Sequence, residues 1–149
     1  MSYTENPTEG MALLTKLAPV SVSNGAITYT SYVSLANYQK AAIIIKTGVM
    51  ASSSTIDAVV YQAKNTSGGS AKVLSPTKAI TQLTQASGDS GKAVVINVKT
   101  EDLDVSGGFY CIALGYTVGV AASIMSIEIY GFESNYQPVA TTPWDEIVG

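Results

Sequence analysis

The sequence predicts an all-β protein, an antiparallel β-sandwich, and three observations predict it. Apolar, β-branched and aromatic residues alternate with polar ones over several short segments. Clusters of Gly, Ser, Asp and Asn separate those segments. No sustained apolar stripe of helical period interrupts them.

Residues 1–25 carry Pro7, Pro19, several polar side chains and one short amphipathic stretch, Met11-Ala12-Leu13-Leu14. They are expected to form an extended N-terminal arm with little core of its own. From Ala26 to Leu35 the period is 2, with Ile27, Tyr29, Val33 and Leu35 on one face, which predicts a strand. Ala41 to Val49 is a β-branched apolar run and predicts a strand buried on both faces. Thr55 to Lys64 predicts another, ended by the turn chemistry of Asn65-Thr66-Ser67-Gly68-Gly69-Ser70. Ala71 to Leu74 and Thr77 to Thr84 are shorter and split by Pro76, as suits the edge of a sheet. After the loop Ala86–Gly91, Lys92 to Lys99 alternates with Val94, Ile96 and Val98 on one face. Thr100 to Val105 predicts one helical turn, and Ser106-Gly107-Gly108 a tight turn. Phe109 to Val118 and Ala122 to Phe132 predict a final strand pair around Gly119, with Tyr116 and Tyr130 near one another. Residues 134–149 predict a C-terminal arm. The resulting domain, 26–133, has apolar strand faces that need a second sheet to cover them, which favours a two-sheet jelly roll.

Of the 149 residues 46% are hydrophobic but only 13% are charged, roughly half the usual share. A surface so short of charge is expected to meet another protein over much of its area. All eight basic residues are Lys, and the net charge is −3. Without Arg, the usual bidentate reader of phosphates and base edges, nucleic-acid binding is not expected. There is no His, the commonest general base and metal ligand. The single cysteine, Cys111, lies in the apolar run Phe109–Leu114 and is expected to be a small core residue. The polar, acidic start Met1–Pro7 is unlike a signal peptide, and no apolar run approaches the ~20 residues of a membrane span. The expectation is a protein made in a cytosol, with no membrane partner.

Candidate chemistry is sparse. Glu101, Asp102 and Asp104 cluster, but their spacing is not that of a calcium loop, and they suit the start of a helical turn. Asp57 and Glu128 sit in strand patterns where a solvated face accounts for them. The serines of Ala51–Thr55 have no His to activate them, and Ser75-Pro76-Thr77-Lys78 begins in a Pro turn. Two glycine-rich loops lead into no helix and so build no phosphate cradle. No catalytic residue, cofactor or metal is predicted.

The segment Lys92-Ala93-Val94-Val95-Ile96-Asn97-Val98-Lys99 runs into Thr100-Glu101-Asp102-Leu103-Asp104-Val105. Ser106-Gly107-Gly108-Phe109-Tyr110-Cys111 follows it, and later comes the turn Thr117-Val118-Gly119. Over about residues 92–132 this pattern resembles capsid decoration, or cement, proteins of tailed bacteriophages. It departs from them near the end, where Gly131-Phe132-Glu133-Ser134-Asn135-Tyr136 lacks the Arg of a related closing segment.

The resemblance implies a jelly-roll domain, commonly trimeric, on the outer surface of a virion. Its partners would be the major capsid protein and itself, and it would act by burying surface against capsid subunits, without a cofactor. The two arms are then expected to supply the contacts to capsid or neighbour, through Met11, Leu13, Leu14, Leu17, Trp144, Ile147 and Val148. Rival readings are another virion part (head fibre, neck or tail tip) and a carbohydrate-binding module using exposed members of its nine Tyr.

Overall fold

β-branched residues at every second position favour extended chain, and the apolar side of each strand must find cover. The computed structural model describes residues 6–135 and 144–148. In chain order the strands are β1 (Met11–Val22), β2 (Thr28–Tyr29), β3 (Val33–Ser34), β4 (Tyr38–Met50) and β5 (Thr55–Ala63). They continue with β6 (Lys72–Val73), β7 (Leu83–Thr84), β8 (Ala93–Lys99), β9 (Cys111–Gly119) and β10 (Ser123–Ser134). The helical segments among the described residues are the 3-10 turns Pro7–Glu9, Gln85–Ser87 and Thr100–Asp102. The protein is all-β.

One sheet has the order β1-β10-β4-β8. The second has β2-β9-β5-β6, with β3 also on β9 and β7 also on β5. Every pairing is antiparallel. Ile43, Ile45, Met125, Ile127 and Ile129 of the first sheet share one buried core with Ile56, Val60, Ile112 and Leu114 of the second. This is a β-sandwich with its core between the sheets.

The N-terminal segment is not an arm over most of its length. From Met11 to Val22 it is β1, paired with β10 along the rim of the first sheet. Its alternation is hidden in the sequence because the register slips between Leu13 and Thr15 and again between Leu17 and Val20. Pro19 is tolerated there because β1 is an edge strand and need not donate outward. At the other end, β10 runs to Ser134; residues 136–143 and 149 of the expected C-terminal arm lie outside the described residues.

Three further expectations change. The strand predicted over Ala26–Leu35 is two short ones, β2 and β3. Between them the Leu114 N–H donates to the Thr30 hydroxyl at 3.0 Å, so a side chain takes a place in the ladder and the face presented to the core switches. β4 is fully buried on one face only: Ala41, Ile43, Ile45 and Thr47 point inward, while Ala42 and Ile44 are half-buried on the outer side. Tyr116 points into the core from β9, whereas Tyr130 packs on Trp144, with ring centroids 5.8 Å apart.

Leu13 is 5% exposed and lies opposite Tyr130. Leu13→Ala is therefore expected to lower the unfolding free energy by about 2–4 kcal/mol in urea titration. A loss below about 0.5 kcal/mol would be that of a free arm.

Candidate contact surfaces

Three stretches without a single charged residue, 17–24, 47–55 and 117–127, are far apart in the chain. The strand register brings them together at one end of the sandwich. Val20 pairs with Met125 and Val22 with Ser123. Ser123 pairs with Met50, Thr55 with Gly119, and the Ala51 N–H donates to the Ala122 carbonyl at 3.1 Å. A Cβ on Gly48 would stand 2.9 Å from Ile124 Cγ2, so the chains are in close contact there. From this end Val20, Val49, Val120 and Ile124 project 44%, 72%, 68% and 40% exposed. Large apolar side chains grouped in the open, with no charge among them, are the usual mark of a contact surface.

Val120 sharpens that reading. It holds φ at 67° at the tip of the β9–β10 turn, where the Ala121 N–H donates to the Gly119 carbonyl at 2.8 Å. A β-branched side chain in this region is strained, at a cost on the order of 1–3 kcal/mol. Nothing inside the protein recovers that cost, since the side chain is mostly in solvent.

Beside this end lies the loop Gln85–Gly91, pinned by side chains. The Thr84 N–H donates to Asp89 Oδ2 at 2.9 Å, and Lys92 Nζ lies 3.0 Å from Asp89 Oδ1. The Thr84 amide, with Lys92 second, holds the Asp89 carboxyl below the usual range. The Thr47 hydroxyl donates to the Asp89 carbonyl at 2.6 Å, and the Met50 N–H donates to Ser90 Oγ at 3.2 Å. The carboxylate of this loop is thus held by the loop itself.

The acidic trio is likewise engaged in local structure. Asp102 accepts the Lys99 N–H at 2.8 Å and pairs with Lys78 at 2.8 Å. Burial pushes its carboxyl up, but Lys78 and that amide outweigh burial and hold it below the usual range. Asp104 pairs with Lys72 and accepts the Gly107 N–H, and both lower it. Its own N–H donates to the buried Gln62 Oε1 at 2.9 Å, which fixes the turn to β5. Glu101 lies 3.5 Å from Lys99. Asp57 and Glu128 stand on the outer faces of opposite sheets, so they do not converge. Glu128 accepts the Tyr130 hydroxyl, and burial together with that carboxylate pushes Tyr130 up to about 12. Cys111 is buried, which pushes its thiol up. Among the described residues, no group of three or more metal-ligating side chains converges. Nor is any helix long and apolar enough to cross a membrane.

The seven expected contact residues are not gathered in one place. Leu14 and Leu17 pack against the core, Leu13 is buried, and Met11 sits half-buried opposite Phe132. Trp144 lies on Tyr130 at the outer face of the first sheet, and Asp145 beside it pairs with Lys16. Ile147 and Val148 are exposed. Of the seven, then, these two and Trp144 keep surface that a partner can reach without disturbing a strand. No protein-family model and no curated protein sequence matches the chain.

Two outcomes follow from the local geometry. Val120→Gly, which frees the turn at the cost of added unfolded-state entropy, is expected to raise the unfolding free energy by about 1 kcal/mol. Thermal and urea denaturation would read it, and a destabilised variant would mean that the φ is not strained. Asp89, lowered in the folded state from 3.8, contributes stability that is complete above that value and is lost as pH falls through the folded value. Stability measured from pH 5 down to 2 is expected to fall less steeply in Asp89→Asn than in the parent.

Proposed function

We propose that the protein is a non-enzymatic virion structural protein that binds the outside of a tailed-bacteriophage capsid and stabilises it by bridging major capsid subunits. The observation that carries this reading is the uncharged end, where four exposed apolar side chains, one of them strained, are held ready by strand ends and a turn. Such a surface is preorganised, so little conformational entropy is lost when a partner covers it. The resemblance of residues 92–132 to decoration proteins supplies the partner; that passage here forms β8, the acidic turn, β9 and β10.

The strand orders β1-β10-β4-β8 and β2-β9-β5-β6 support a jelly-roll reading of the sandwich. The chain crosses from sheet to sheet at β2, β4, β5, β8, β9 and β10, as the two interlocked Greek keys of that fold require. A homotrimer at a local three-fold site would set three such ends on the shell at once. A standard patch buries roughly 800 Å² per partner, and three linked patches bind far more tightly than one. Internal pressure would then have to break these contacts as well as those of the shell.

Co-sedimentation with isolated capsids tests the proposal, with sedimentation equilibrium to give the oligomeric state. Val49→Asp places a charge in the middle of the patch and is expected to weaken shell binding roughly 30-fold or more while leaving the melting temperature unchanged. A parent protein that remains monomeric and fails to pellet with capsids would end the idea.

A further inference from the structure

A different surface, independent of the shell-binding reading, has its own chemistry. Along β9 the residues on the outer face of the second sheet are all small: Cys111, Ala113, Gly115, Thr117 and Gly119. Large side chains from neighbouring strands lean over this trough. A Cβ on Gly115 would stand 2.8 Å from Tyr61 Cε2 and 2.9 Å from Ile27 Cδ1, so any larger residue would push both side chains aside. Tyr29, which pairs with Gly115, meets Tyr61 edge to face with centroids 5.0 Å apart, and Tyr32 continues the row at 6.4 Å. The Tyr29 phenol beside it, with burial second, raises the Tyr61 pKa. Tyr29 remains 42% exposed.

Next to this row, at Gly115, is a hollow of about 140 Å³ lined by Ile27, Asp57, Val59, Ala79, Gly115 and Thr117. Asp57 is exposed, and Gln82 Nε2 donates to its Oδ2 at 2.7 Å. Among the described residues no lysine pairs with it, in contrast to Asp89, Asp102 and Asp104. A carboxylate steadied by an amide, with a threonine opposite it in the register, offers hydrogen-bond acceptors and donors on an otherwise apolar floor.

We infer that this hollow and the tyrosine row beside it together bind one neutral sugar ring, its C–H face against the Tyr29–Tyr61 pair and its hydroxyls on Asp57, on the Gln82 amide that reaches Asp57, and on Thr117. A sugar has this same division, an apolar face and a rim of hydroxyls, and a ring bearing both fits where an aromatic wall adjoins a carboxylate–amide pair. A purely apolar peptide would bury the Asp57 carboxylate with the Gln82 amide as its single partner. Through Thr117 the hollow comes within two residues of Gly119, about 7 Å at strand spacing, but none of Val20, Val49, Val120 and Ile124 lines it.

The test is saturation-transfer NMR on the full chain with the methyl glycosides of glucose, galactose, mannose and N-acetylglucosamine, each at millimolar concentration. At least one is expected to bind, and Tyr29→Ala and Asp57→Asn are each expected to weaken it roughly tenfold or more. Melting temperatures report whether the variants fold. Asp57→Asn, an exposed and nearly isosteric change, carries the test if Tyr29→Ala does not fold. Binding of none of the four sugars, or undiminished binding by folded Asp57→Asn, overturns the assignment.

Discussion

Two apolar sheet faces cover one another, and every other feature of the molecule is arranged around that contact. Each strand has one side that cannot face water and one that can, and a single sheet would leave the first side bare. The isoleucines of β4 and β10 are matched across the core by Ile56, Val60, Ile112 and Leu114. Because the inward positions of the long strands are filled this way, the outer faces, strand ends and turns are the places left for specific chemistry. The charged residues follow the same logic: most lysines and carboxylates pair with one another at loops and rims, where exposed pairs contribute little stability but fix turns in place.

How much of this was legible in the sequence depends on whether the local period survives. In β5, β8 and β10 it does, and the expected strands agree with the observed ones to within a few residues. In β1 it does not. Two register slips and a proline erase the alternation, so a real edge strand reads as an arm. Across Ala26–Leu35 the alternation is present, but the Thr30 hydroxyl in the ladder splits one apparent strand into two. The sequence records side-chain order; it does not record where a hydroxyl takes the place of a backbone carbonyl.

The contact surfaces were less legible than the fold, for a related reason. Apolar residues in weakly patterned termini were the obvious anchors, yet Leu13, Leu14 and Leu17 are used inside the protein. Val20, Val49, Val120 and Ile124 each look like an ordinary strand or turn residue in the chain. Only the antiparallel register brings the strand ends that carry them to one end of the sandwich. The one sequence signal that could have found them is negative: three stretches lacking any charge. The hollow beside Tyr61 was hidden in the same way, since Asp57 and Gly115 belong to one site only through the pairing of β5 with β9.

Placing the exposed apolar groups on strand ends instead of arms changes the energetics of any contact they make. An arm must be ordered when it binds, and that cost is set against the buried area. A turn already fixed by the ladders of β9 and β10 has had its entropy removed during folding. Val120 shows this most directly, because its left-handed backbone lies between the two strands it joins while its side chain stays mostly in solvent. Strain of that kind is retained only where the surrounding structure over-determines it. A rigid, uncharged end also carries a hazard, since it will adhere to whatever apolar surface it meets. Closing such ends against a shell, or against one another in a symmetric ring, satisfies both demands at once. The same feature that makes the free chain prone to association is what the proposed role requires.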